Sequence, residues 1–152
     1  MNKVANVLRL FFGIFFLAAA AFNTYLTITN PDGYKNGGTT AWPPFLQHFW
    51  VNVVATHMVL FLILFILIEI ALGLLLLNRG KWVKLGLAGS ILFSAGLLFI
   101  GLGYAQDYWP ARIPNLVFEA MMLYCLFFRY DKTLWQTVHP KKELTHTTVI
   151  GS

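Results

Sequence analysis

The sequence predicts an all-α integral membrane protein, a bundle of four transmembrane helices, and two observations support that prediction. Of the 152 residues, 58% are hydrophobic and only 11% are charged, well below the ~25% charge typical of soluble domains. The apolar residues also fall into four blocks divided by short polar segments, and most of these blocks are long enough to cross a bilayer. The same features exclude a disordered chain and a large soluble catalytic domain.

The predicted spans cover about residues 7–28, 51–77, 82–104 and 113–130. Pro31 and Gly33 follow the first span, and Asn78 to Lys81 form a tight turn after the second. The second span is apolar on every side, which is typical of a helix in lipid rather than of a surface helix. The fourth has a short apolar centre and needs its flanking residues to reach across the bilayer. A polar tail follows at 131–152.

Small residues on the third span predict close helix packing. One set recurs every seven positions and a second set every four: Gly89, Gly96 and Gly103, and Gly86, Ser90 and Ser94. The glycines lie within a span and have no lysine at the spacing of a phosphate-binding loop, so we interpret them as packing positions.

The distribution of Lys and Arg predicts that both termini are cytoplasmic. Nine of the 11 basic residues flank the amino end, the 78–81 turn or the tail, whereas Lys35 and Arg112 lie in the other two connections. The tail at 131–152 is then cytoplasmic, and the lipid bilayer is the main partner. The basic residues form no stripe with interleaved aromatic residues, so nucleic acid is not expected as a partner despite the net charge of +5.

A cleaved signal peptide is the alternative for the first block. Lys3 and Arg9 precede an apolar stretch, and small residues at 19–21 resemble a cleavage site. The apolar run is longer than the usual 7–15 residues of a signal peptide, which favours a retained span. A mature chain beginning near Phe22 would contradict the four-span prediction.

Four ionisable residues inside the predicted spans are candidate functional residues, because such groups are costly in a bilayer. Arg9 and Glu69 lie towards the cytoplasmic side, and we expect them to form a pair. His57 and Glu119 lie in the outer half and form a second expected pair, which could handle protons. The pairs could equally be hydrogen-bonded contacts that hold neighbouring helices together, and both interpretations stay open. No metal site is expected, since the histidines lack ligand spacing.

Aromatic residues cluster in the two predicted outer connections. They either form an interfacial belt or line the mouth of a pocket for an apolar ligand such as a quinone or a lipid. The candidates for the mouth are Trp42, Phe45, His48, Trp50 and Trp109.

Several positions resemble the DoxX family of small four-helix membrane proteins. Arg9 and Gly13 match the beginning of the family pattern, and Glu69 with the glycine at position 73 matches its second span. The family has a Gly and a Lys where this chain has Ala20 and Asn23. The resemblance covers about residues 7–128 and implies a plasma membrane protein of a prokaryote that is linked to redox processes, with quinone as a candidate contact.

Three function classes follow from the residues and the resemblance. The first is an accessory or ligand-binding subunit associated with membrane redox processes, together with other membrane subunits or as a homo-oligomer. The second is a membrane oxidoreductase subunit that exchanges electrons with quinone, with His57 and Glu119 relaying protons. The third is a small transporter, which is disfavoured because no repeat and no mid-span break is visible in the sequence.

Overall fold

A computed structural model of the protein describes residues 3–39, 41, 43–100 and 113–131, and this part of the chain is helical without any strand. The all-α prediction is therefore confirmed. The elements in chain order are α1 (Lys3–Thr29), a 3₁₀ turn (Pro31–Tyr34), α2 (Pro44–Phe49), a π-helical segment (Trp50–Val54), α3 (Met58–Leu77), α4 (Lys81–Ile100) and α5 (Ile113–Leu126).

Three of the described helices, α1, α3 and α4, are long and apolar enough to cross a membrane. Large apolar side chains also cover their outer faces: Leu60, Leu67 and Leu74 on α3 are each more than half exposed, and so is Leu92 on α4. A continuous apolar surface of this kind is stable against lipid and not against water. The chain is therefore a multi-pass membrane protein. The helix α5 is apolar but spans only 14 residues.

Glycines set the distance between neighbouring helices. The most extensive contact joins α1 to α3, and α4 packs on α3 while α5 packs on α4 and α1. A Cβ added at Gly73 would lie 2.8 Å from the Leu17 side chain and 3.1 Å from the carbonyl oxygen of Gly13. A Cβ at Gly86 would lie 2.9 Å from the Leu75 Cβ. Both crossings therefore depend on the missing side chain.

The described interior contains two separate apolar clusters. The first lies around the α3–α4 turn and includes Phe12, Leu72 and Leu76, while the second includes Trp50 and Leu62 under the connection that follows α1. Glu69 lies on α3 between Leu62 of one cluster and Leu72 of the other. The buried carboxylate thus occupies the layer that separates the two clusters.

The first predicted span lies within α1, and the predicted turn at 78–81 leads into α4, with Gly80 at a positive φ of 59°. The prediction of one continuous helix over 51–77 is wrong, because a turn at 55–57 separates the π-helical segment from α3. Side chains there bond to the backbone of the preceding turn: Asn52 donates to the His48 carbonyl and Thr56 to the Asn52 carbonyl. Such bonds compete with regular helix geometry.

The remaining boundaries differ in part. The helix of the fourth predicted span is described from Ile113 and ends at Leu126, and Tyr130 folds back to donate a hydrogen bond to the Cys125 carbonyl. Residues 101–104 of the third predicted span, and the tail beyond residue 131, lie outside the described residues.

The predicted small-residue sets on α4 divide into two groups. Gly86 and Gly89 meet α3 closely, and Ser90 is fully buried. Around Gly96, however, an added Cβ would have no atom of the described residues within 4 Å, so none of these residues packs closely on this glycine. Gly103 lies outside the described residues.

Candidate functional site

A chain of three polar side chains links the 3₁₀ turn to the interior of the bundle. The Tyr34 hydroxyl donates to Asn23 Oδ1 at 2.9 Å, and Asn23 Nδ2 donates to both carboxylate oxygens of Glu69, at 2.8 and 2.9 Å. Glu69 is only 5% exposed. Burial, and to a smaller extent the Glu69 carboxylate, raises the pKa of the Tyr34 phenol. Tyr34 therefore keeps its proton and remains a donor.

A cavity of about 160 Å³ lies directly beside Glu69. Its lining is mostly apolar, with five phenylalanines and three polar side chains, and comes from α1, α3, α4 and α5: Phe12, Phe15, Phe16, Ala19, Glu69, Phe93, Ser94, Leu97, Asn115, Phe118 and Met122. The rings of Phe15 and Phe118 meet edge to face at 5.6 Å between centroids, and Phe12 meets Phe118 at 5.9 Å. Edge-to-face ring contacts of this kind stabilise the wall between α1 and α5.

A second, smaller cavity of about 40 Å³ adjoins the first and shares Glu69, Phe93 and Leu97 with it. Asn23 and Tyr34 complete its polar side. Glu69 therefore lies between two cavities whose walls are mainly apolar.

Trp50 holds the connection after α1 against the end of the bundle where Tyr34 lies. Its indole nitrogen donates to the Lys35 carbonyl at 3.0 Å, and its ring lies on Gly38, where an added Cβ would fall 2.1 Å from the indole Cγ. Trp50 itself is 2% exposed. The connection is thereby fastened beside Tyr34, which packs against the same apolar cluster.

Arg9 lies at the opposite end of α1 and does not pair with Glu69. It is fully buried, with Nη1 donating to the Asn78 carbonyl at 3.3 Å and its guanidinium 4.9 Å from the centre of the Tyr130 ring. Asn78 follows Glu69 by nine residues, roughly 14 Å of helix, which an arginine side chain cannot cover. The expected pair is therefore wrong: α1 and α3 are adjacent, but the two charges lie at different depths.

The second expected pair is not formed in the described structure either. His57 lies at the amino-terminal cap of α3, exposed, and not within a span. Glu119 lies on α5 and is half-buried, and one of its carboxylate oxygens is buried without a hydrogen-bond partner. No ion pair joins them. His57 is the last residue of the turn at 55–57, so it lies before α3 and not within a regular helix.

The aromatic candidates for a ligand mouth do not line either cavity where the structure describes them. Phe45 and His48 are exposed on α2, and Trp50 is buried under the connection. Trp42 and Trp109 lie outside the described residues. Among the described residues, no group of three or more His, Cys, Asp or Glu side chains is arranged to hold a metal ion.

Sequence reasoning missed most of the cavity. Asn23 was considered only as a departure from the family pattern, although an amide inside a span is itself a marker of interhelical hydrogen bonding. The phenylalanines at 11, 12, 15 and 16 follow helical spacing and predict an aromatic face on α1. Their association with Phe93 and Phe118 depends on helix packing and carries no local sequence signal.

Comparison of the chain with protein-family models, with curated proteins and with solved structures finds no match.

Proposed function

We propose that this chain is a four-span membrane protein that binds a ring-sized apolar molecule in the cavity beside Glu69. The cavity itself is the observation that supports this proposal, because binding sites for small molecules are mostly apolar with a few placed polar groups. Five phenylalanines line it together with Glu69, Ser94 and Asn115. A cavity of ~150 Å³ holds one benzene ring, so about 160 Å³ suits one ring.

The proposal includes α5 as the fourth span and both termini in the cytoplasm. α5 packs on α1 and α4, and its carboxyl end lies beside the α3–α4 turn, where the Gly80 amide donates to the Tyr130 carbonyl. Basic residues concentrate at this end: Lys3, Arg9, Arg79, Lys81, Lys84 and Arg129. The charge pattern supports a cytoplasmic location for this end of the bundle.

A quinone is the second candidate ligand, and it would make the chain an accessory subunit of a membrane redox system. Ser94 and Asn115 favour it, because the hydroxyl and amide can donate hydrogen bonds to the two carbonyl oxygens of a quinone ring. The resemblance to the DoxX family supports the same redox association and the plasma membrane of a prokaryote.

Ligand binding can be tested with a matched pair of substitutions on α1. Ala19 lines the cavity, whereas its neighbour Ala18 is exposed on the lipid side. Equilibrium dialysis of the purified protein in detergent micelles would measure the binding of ethylbenzene and of duroquinone. We expect Ala19→Phe to weaken binding by about tenfold or more, because the new ring fills the cavity, and Ala18→Phe to leave it unchanged.

Equal binding of ethylbenzene by the wild type and both variants would overturn the cavity as the site. If ethylbenzene depends on Ala19 while duroquinone does not bind, the cavity remains the site and the quinone is excluded as its ligand.

A further inference from the structure

Among the described residues, the carboxylate in the cavity wall has no cationic partner. In the part of the chain that the structure describes, Glu69 forms no ion pair, and its hydrogen-bond partner is the neutral amide of Asn23. Arg9, the cation expected beside it, contacts Asn78 and Tyr130 instead. A buried carboxylate is costly unless a positive charge or several donors compensate it. The site therefore favours a ligand that brings the positive charge with it.

The rest of the lining suits a cation as well. Aromatic faces attract ammonium groups, and this attraction grows when water is excluded. Phe16 and Phe93 lie on two helices beside Glu69, with ring centroids 6.4 Å apart, and both line the same cavity as the carboxylate. The phenylalanines and the carboxylate are thus close enough for one small molecule to contact both.

We infer that the cavity is selective for organic monocations that carry one aromatic ring, such as an arylalkyl ammonium, with Glu69 as the counter-ion. This inference rests on the proposed binding of ring-sized molecules in the same cavity and adds the charge of the ligand. A quinone ring carries only hydrogen-bond acceptors and gives an ionised carboxylate no donor. A protonated amine gives it both a charge and donors.

Two probes of the same size and shape separate charge from cavity filling. Benzylammonium and ethylbenzene differ in that an ammonium group replaces a methyl group. Binding of both would be measured by equilibrium dialysis at neutral pH for the wild type, Glu69→Gln and Ala19→Phe, the last of which reports partition into the micelle alone. We expect the wild type to bind benzylammonium about tenfold more tightly than ethylbenzene. Glu69→Gln should lose this preference and keep ethylbenzene binding.

The outcomes distinguish this inference from the proposed function. If the wild type binds both probes equally, or if Glu69→Gln keeps the preference for the cation, the inference is overturned and the cavity remains a binding site. If neither probe binds more than it does to Ala19→Phe, both the inference and the proposed function fail.

A second variant tests the same role of Glu69 in case the Glu69→Gln protein does not fold. Asn23→Lys places an ammonium group at a position whose side chain already contacts both oxygens of Glu69. This built-in cation should compete with benzylammonium and reduce its binding about tenfold, while ethylbenzene binds as before. Undiminished benzylammonium binding by a folded Asn23→Lys protein would contradict the assignment of Glu69 as the counter-ion.

Discussion

Two layers of the α1–α3 pair each bury a charged side chain, and the surroundings of the two charges differ. At one end the Arg9 guanidinium meets a backbone carbonyl and an aromatic ring, in a region where Leu76, Val83 and Cys125 are fully buried. Further along the pair, in the layer between the two apolar clusters, the Glu69 carboxylate meets an amide and opens onto two cavities. The Arg9 end is filled, whereas the Glu69 layer has empty space beside a charge.

This difference separates a structural role from a binding role. A buried charge that is surrounded by packed side chains and satisfied by the chain itself stabilises one arrangement of the helices. A buried charge beside a cavity leaves room for a molecule from outside the chain. We therefore expect substitutions at the Arg9 end to change mainly the stability of the protein, and substitutions in the Glu69 layer to change mainly the binding of ligands.

The largest effect is expected at the crossing of α1 and α3, because both the Arg9 end and the Glu69 layer depend on this helix pair. Gly73→Leu would force the helices apart, because even its Cβ would lie 3.1 Å from the Gly13 carbonyl oxygen. We expect the free energy of unfolding to fall by about 3 kcal/mol. Thermal unfolding in detergent micelles would measure this loss, with Gly96→Leu as the control because open space surrounds that position. Equal melting temperatures for the two variants would contradict the close crossing.

A smaller effect is expected at Tyr130, which fastens the Arg9 end. The guanidinium of Arg9 lies over its ring, and its hydroxyl donates to the Cys125 carbonyl at 2.7 Å. Tyr130→Leu removes both contacts and should cost about 2 kcal/mol of unfolding free energy, whereas Tyr130→Phe keeps the ring and should cost about 1 kcal/mol. Denaturant titration of the three proteins would measure the order. Ethylbenzene binding should be unchanged in both variants. A loss of binding would contradict the division between a structural role at the Arg9 end and a binding role in the Glu69 layer.

The sequence predicted the helices far better than the contacts between them. Long apolar blocks with polar segments between them predict α1, α3 and α4, because the apolar blocks and the polar breaks are local features that repeat along the chain. The turn at Gly80 follows from local residues in the same way. The interruption at 55–57 was missed, since the apolar character of the block 51–77 does not register a local change of helix geometry.

The candidate site was predicted only through Glu69. Depth along a helix can be counted from the sequence, but the rotation of each helix and the offset between neighbours cannot. Arg9 and Glu69 were therefore expected to meet, although the antiparallel packing places Arg9 beside Asn78 and Glu69 beside Asn23. The cavity is the result of how the side chains of four helices fill space, so no single segment of the sequence contains a signal for it.

The smallest expected effect concerns Tyr34, the outermost member of the polar chain that leads to Glu69. Tyr34→Phe removes one hydrogen bond to Asn23 and should cost less than about 1 kcal/mol of unfolding free energy at neutral pH.

Because the pKa of the Tyr34 phenol is raised in the folded state, the unfolded chain releases this proton first, near pH 10.0. Above that pH the unfolded state binds fewer protons, so Tyr34 makes the wild type less stable as pH rises. The stability difference between the wild type and Tyr34→Phe should therefore be constant up to about pH 10 and shrink above it. Melting temperatures of both proteins across this range would measure the difference, and the subtraction removes the titration of the other groups. A difference that stays constant into the alkaline range would show that the Tyr34 phenol is not held protonated beside Asn23 and Glu69.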